Sequence, residues 1–558
     1  VVSCVLRHID LQQRLGSCSL VCKAWRTAGG AATSDVRMRY NYQGSDASCG
    51  RQLDSLRRWL PAHAAAVTQL CVEGCYGGTE PLQLPYATLQ QLQSMRIQYH
   101  SLLPADSADG LQQKHRLAAL SVAASSSNGS SGSSQNSLAS LTSLTALDLE
   151  HVVSSLAGLP ALTQLQQLQL QDVTPALPQH MLSEQQQQQA EQLQAQQQRQ
   201  NALQQVMSSA LTSLTRLTLL QLTFGEGLLC DGTVAPFSCL QQLQELDLFF
   251  CDRCGPETLA GLPACLSKLR FSLGRGGAEQ PLGSMKAPVL SRLTAMQHLH
   301  LRTYAQCAIR PNFIRHMQQL QELKLRGRLS GDAVPLLLEA LPLLGSLRSL
   351  VISVEQEGDE LLPASDVARY SALVPASQHL TELQLAWDED SAPLLAAGCG
   401  QHMFPVGRRW EHLDSLVLGV SMDQFVASVT AEEDAIICDI INDMPACFDS
   451  ADVSRLVEGC PVLQQLWFPG LVARGVALKP LLALSQLVCL FVGRDMIDDG
   501  VAESALTKMT QLDSLGVYAA LELTDHGLLA MTALKYLVTL EACGCGFSSR
   551  VSTDVWAA

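Results

Sequence analysis

One pattern limits the possible folds more than any other: "LxxLxxLxL" keeps returning along the chain. Clear copies have their third apolar position at Leu147, Leu168, Leu217, Leu246, Leu299, Leu323, Leu350, Leu383, Leu416, Leu466, Leu490, Leu515 and Leu540. Weaker copies centre on Leu70, Met95, Leu120 and Leu269. The first steps are 25, 25, 27 and 21 residues and the last are 24, 25 and 25. Two steps, Leu168 to Leu217 and Leu416 to Leu466, are about double, so each holds an insertion or a degenerate repeat. A repeat this short cannot bury its own apolar face, but a stack of them shares one core. That is why 558 residues need not mean three or four separate domains.

The period and the motif resemble the leucine-rich repeat. The fold expected is an α/β solenoid: a curved parallel sheet on the concave side, helices and loops on the convex side. In "LxxLxL" the last two Leu alternate along a short strand and point inward, and the residues around them face out. The stretches 498–512 and 524–537 read as convex helices, with Asp499 and Thr524 as N-caps. Cys75, Cys251 and Cys545 each stand three residues past the last strand position, where the motif places Asn or Cys. With "LTDHGL" (523–528) and "CGCG" (543–546), they resemble the cysteine-containing subclass.

Composition agrees with a core tiled from aliphatic side chains: 47% of residues are hydrophobic but only 5% aromatic. A net charge of -15 argues against a general nucleic-acid binder, which needs a basic surface. The 19 Cys follow no secreted-domain framework, so free thiols in a reducing compartment are expected. No apolar run of membrane-spanning length and no signal peptide is visible. Residue 1 is Val, so the chain reads as a fragment or a processed product.

Three segments interrupt the array. A Ser-rich loop spans 125–137 and a Gln-rich insertion, helical or disordered, spans 183–205. An acidic insertion spans 431–450, as a lid over the concave face or a surface elaboration. The expected organisation is a helical front segment over 1–45, the repeats over 46–546 and a tail over 547–558.

In the front segment, Leu11, Leu15, Cys18, Cys22 and Trp25 form one stripe of an amphipathic helix. Such short helices need something to pack on. "VLRHIDLQQRLGSCSLVCKAWRTAG" (5–29) resembles the F-box: an apolar helix, a turn, then a helix ending in Val-Cys-Lys-x-Trp. Leu6, Ile9, Leu15, Leu20, Val21 and Trp25 match its apolar positions. The family's Leu-Pro start is not within the chain, and Arg14 stands where the family commonly has Asp. The resemblance implies a substrate-recognition subunit of a Skp1–cullin–F-box ubiquitin ligase, with a Skp1-like adaptor at one end and a protein target on the concave face. It also implies a cytoplasmic or nuclear location. The other reading is a cap on a structural repeat protein of the cytoskeleton or a ciliary axoneme.

The repeat register nominates concave side chains. Glu245, Asp247 and Phe249 form an acidic and aromatic group. Lys268, Arg270, His298, His300, Arg302, Lys324 and Arg326 form a basic patch suited to an acidic or phosphorylated segment. Trp467, Phe491 and Tyr518 place aromatics on neighbouring repeats, the residue type that carries binding hot spots. Chemistry-bearing motifs are missing from the sequence: no Walker A loop, no HExxH, no GxSxG, and only a lone CxxC at 251–254. A non-catalytic binding protein without cofactor or metal is the expectation.

Overall fold

The computed structural model describes residues 35–39, 67–73, 81–82, 89, 91–98, 101–102, 139, 141–150, 153–154, 158–171, 174–175, 205, 207–223, 235–251, 261–273, 290–303, 309, 311–329, 333–354, 364–387, 395, 398–420, 448–468, 478–493, 496–518, 520–543 and 545. Packing divides the chain into two compact units, Val1–Gly277 and Ala278–Ala558.

In the first unit the strands are, in chain order, β1 (Asp35–Arg39), β2 (Gln69–Glu73), β3 (Pro81–Leu82), β4 (Ser94–Gln98), β5 (Ser101–Leu102), β6 (Ala146–Glu150), β7 (Val153–Ser154), β8 (Gln167–Gln171), β9 (Thr174–Pro175), β10 (Leu219–Thr223), β11 (Glu245–Cys251) and β12 (Lys268–Leu273). The longer ones pair in parallel, each with the next repeat: β1 with β2, then β4, β6, β8, β10, β11 and β12. The two-residue strands β3, β5, β7 and β9 make a second parallel ladder.

The Leu spacing causes this arrangement. Leu141, Leu144, Leu147 and Leu149 are all essentially inaccessible, and Leu162, Leu165, Leu168 and Leu170 repeat the set one turn on. Burying a Leu side chain fully stabilises by about 1.5–3 kcal/mol, so four per repeat drive the stacking. Backbone bonds fix the rise between turns. Thr145 N and Ala146 N both donate to Gln93 O, and Gln166 N and Gln167 N both donate to Thr145 O. The same step recurs at Gln166, Thr218 and Gln244. Ser and Thr suit this position because the hydroxyl adds a bond to the same carbonyl, as Thr145 Oγ1 does at 2.9 Å from Gln93 O.

The second unit contains β13 (His298–Thr303), β14 (Glu322–Gly327), β15 (Ser349–Val354), β16 (Glu382–Trp387), β17 (Ser415–Val420), β18 (Gln465–Phe468), β19 (Cys489–Gly493), β20 (Ser514–Tyr518) and β21 (Thr539–Cys543). All pair in parallel with their sequence neighbours. Its convex side carries α1 (Ala333–Ala340), α2 (Gly400–Met403), α3 (Ser450–Gly459), α4 (Asp499–Ser504) and α5 (Asp525–Met531), with 3-10 turns such as Leu341–Leu343 between them. Gly327 adopts φ 103°, and a side chain there would overlap the backbone of Thr303. Each unit is therefore a leucine-rich repeat solenoid.

Several sequence expectations change. The repeat anchored on Leu217 is shifted by three residues: Leu220 stands in register with Leu168 and Leu246, and Leu217 fills the preceding buried position. "LTSLTRLTLLQL" holds two overlapping frames, and the frame that buries both Leu220 and Leu222 is the one formed. β1 lies inside the span assigned to the helical front segment and already pairs with the repeat sheet. Asp499 is not an N-cap. Asp498 caps α4, accepting from Val501 N at 2.6 Å, while Thr524 does cap α5. The two convex helices are also shorter than their periodic stretches.

Cys545 holds its expected turn position, its thiol 3.6 Å from Val517 O. Cys251 ends β11, opposite Leu273 after a register shift, and Cys75 lies outside the described residues. So do Leu120, the 125–137 loop, nearly all of 183–205 and most of 431–450. Of that last segment the described end is structural: Phe448 is buried among Phe404 and Phe468, and Asp449 caps α3. No helix among the described residues is long and apolar enough to cross a membrane.

Candidate functional site

The solvent face of each sheet is the candidate site, because alternation along each strand places one residue in two there. The adaptor positions Leu6, Ile9, Leu15, Leu20, Val21 and Trp25 lie outside the described residues.

In the first unit the acidic group and the first part of the basic patch form one network. Register sets Glu245 opposite Lys268 and Asp247 opposite Arg270. Lys268 Nζ is 3.2 Å from Glu245 Oε2, and Arg270 Nη1 is 3.6 Å from Asp247 Oδ2. The Arg270 guanidinium also sits 4.3 Å from the Phe249 ring centroid. Opposite charges one strand apart stabilise each other by about 0.2–1 kcal/mol. Lys268 and Arg270 are thus already occupied by this chain's own carboxylates.

In the second unit the same holds around Glu322, a residue absent from the sequence-based set. Its carboxylate takes His298 Nδ1 at 3.1 Å, His300 Nε2 at 3.1 Å and Lys324 Nζ at 2.7 Å. The hydrogen bond from His300 holds the carboxyl well below the usual carboxylate range, against partial burial and with help from Lys324 and His298. Arg302 and Arg326 stand side by side in register beyond it. The patch is therefore built around an anion. An acidic or phosphorylated ligand would compete with a carboxylate that β14 itself supplies. Tabulating the residue before each first strand Leu, Glu322 in "QELKL", would have found it.

The aromatic group lies farther along this face and is mostly packed. The Trp467 and Phe491 rings stack with centroids 3.9 Å apart and planes 15° apart, and Phe491 faces Tyr518 at 6.2 Å. Phe491 and Tyr518 are only 4% and 2% exposed, so Trp467 alone of the three retains appreciable surface. The Tyr518 hydroxyl donates to Glu541 Oε2 at 2.6 Å. Beside the stack, burial pushes the Cys489 thiol up to about 11, with Asp513 and Glu541 acting in the same direction. Burial thus keeps that thiol protonated at neutral pH.

No family model matches the sequence, and no curated protein matches it. Among solved structures, a leucine-rich repeat protein of Leptospira interrogans is similar at 13% identity, covering 94% of this chain and 98% of that one, TM-score 0.37. An internalin of Listeria monocytogenes is similar at 11%, covering 88% and 94%, TM-score 0.36. The Arabidopsis receptor kinase HAESA, solved with the peptide hormone IDA and the co-receptor SERK1, is similar at 13%, covering 90% and 74%, TM-score 0.39.

Proposed function

We propose that this chain is a non-catalytic binding protein that holds a protein target on its open strand face and docks, through its front segment, on a Skp1-like adaptor of a cullin ubiquitin ligase. The observation that carries the ligase reading is the match of residues 5–29 to the F-box pattern, followed directly by a repeat array. The array supports the target-holding role: regular strands present rows of side chains that have no structural duty toward the core. Such a protein accelerates ubiquitin transfer by proximity alone, holding the acceptor near the ligase's partners. Its place would be the cytoplasm or nucleus.

Co-purification of the full chain with Skp1 is the test. Capture is expected, and loss is expected on Trp25→Ala or Val21→Asp. A folded chain that captures no Skp1 refutes the ligase reading and leaves a leucine-rich repeat scaffold.

A further inference from the structure

We infer that the strand face of the second unit from β16 to β21 is a docking surface for an extended cationic segment of a protein partner, with an arginine of that segment stacked on Trp467. This deepens the proposal that the strand face holds a target, and it does not depend on the ligase reading.

The first observation is the sign of the face. On β16 to β21 and at the residue leading into each strand, the charged side chains are Glu382, Asp414, Asp513 and Glu541, with no Lys, Arg or His. Among the described residues none of these carboxylates is ion-paired. Glu382 takes only the Ser349 hydroxyl, and Glu541 only that of Tyr518. This contrasts with Glu245, Asp247 and Glu322, each of which has a cation from a neighbouring strand or its own. Glu382 and Asp414 also repel. The Asp414 carboxyl is raised above its ordinary range, by burial first and by Glu382 as well. A cation placed between them relieves that repulsion.

The second observation is independent of charge. Trp467 is propped rather than buried: Phe491 backs one face of the indole, and Gly516, in register with Phe491, lets the Phe491 ring lie flat on the neighbouring strand. On the β17 side the register partner of Trp467 is the much smaller Val417. Two residues farther along β17 stands Gly419, in register with Ala386 on β16. A planar guanidinium fits such a held ring face, and Arg on Trp is the favoured cation–π pair.

Spacing gives the segment's pattern. β16 and β18 are two strand separations apart, about 10 Å, and an extended chain covers that in about three residues. A segment lying across the strands would set one arginine on Trp467 and a second basic side chain, about three residues away, at Glu382 and Asp414. The patches on β13 and β14 do not compete for it, being of the opposite sign.

The test is fluorescence anisotropy of the full chain with a labelled Arg-x-x-Arg peptide in a Gly/Ser background, beside the same peptide with both Arg replaced by Glu. The Arg peptide is expected to bind and the Glu peptide not. Binding should weaken at least about tenfold in Trp467→Ala and in Glu382→Gln/Asp414→Asn, each confirmed folded by circular dichroism. Trp467→Phe, which keeps a ring, should retain most of it. Raising salt to about 0.5 M should weaken but not abolish it. Equal binding of the two peptides overturns the inference. So does Arg-peptide binding unchanged by both sets of substitutions, which is non-specific attraction to an acidic protein. Trp25→Ala, which tests adaptor docking, should leave peptide binding unaltered, so the two readings fail separately.

Discussion

The Phe491 ring occupies the space that a side chain at position 516 would need: a Cβ built on Gly516 would sit 2.0 Å from Phe491 Cδ1. The two residues are partners in the β19–β20 register, so the missing side chain on one strand is what lets the ring on the other lie down. Gly516→Val should therefore lift Phe491 off the sheet and break its stacking on Trp467. A loss of about 1–3 kcal/mol is expected in denaturant unfolding. Adding Phe491→Ala should recover part of it, because the clash disappears with the ring. Equal stability of Gly516→Val and the parent chain would contradict this packing.

Asp499 ties one repeat to the next. Its carboxylate accepts from Thr524 N at 2.8 Å, Thr524 Oγ1 at 2.6 Å and Gly527 N at 3.0 Å, gripping the first turn of α5 from α4. Asp499→Ala leaves those donors to solvent and should cost about 1 kcal/mol. The readout is local: amide hydrogen exchange should speed up over 524–543 and stay unchanged over β13 to β17. Uniform acceleration across the second unit would mean the clasp is not local.

Glu322 makes a pH prediction with a definite sign. Its carboxyl is depressed in the folded chain, so its contribution is present above the unfolded carboxylate value, about 4.3, and is lost as pH falls from there toward the folded value. The Glu322 side chain keeps 24% of its surface in water, which limits the effect to about 1 kcal/mol. The melting-temperature gap between parent and Glu322→Gln should be full near neutrality and shrink below about pH 4. A gap that widens on acidification would reverse the assignment.

Asp452 is 2% exposed and does three things at once. Its backbone N–H donates to Asp449 Oδ1 at 2.7 Å, its own carboxylate accepts from Asp449 N at 3.1 Å, and it pairs with Arg455. Gly400 packs against it so closely that a Cβ there would meet its Cγ. Asp452→Ala removes half of the capping box and strands Arg455, at an expected cost of about 2–3 kcal/mol. Thermal unfolding of the variant measures it, and Asp452→Asn should fall between the two.

The interior was the legible part of this chain. Leu147, Leu168, Leu323 and Leu515 could be aligned by counting, because a buried position tolerates few residue types and the period returns it at fixed intervals. Counting misled where leucines are too many. At 211–222 two frames fit, and only the demand that Leu220 and Leu222 both reach the core separates them. Asp499 misled for a related reason. Local spacing makes it a good cap, yet its hydrogen bonds run to a residue 25 positions away.

The candidate site was legible only as a set of positions. The strand pattern assigns Lys268, Lys324 and Trp467 to the solvent face, where each keeps part of its surface exposed. Whether a residue there is free or spent depends on the neighbouring strand, and strands adjacent in space are about one repeat apart in sequence. Glu245, Asp247 and Glu322 occupy Lys268, Arg270, His298, His300 and Lys324, and Phe491 and Tyr518 pack against each other. The repeat, the parallel strands and the inward leucines follow from the period and hydrophobicity of one short motif. Which outward side chains remain open to a partner is set by charge pairing and ring contact between neighbouring strands, which the folded sheet alone brings together. Among the described residues it leaves Trp467 partly open and Glu382 and Asp414 without an ion pair.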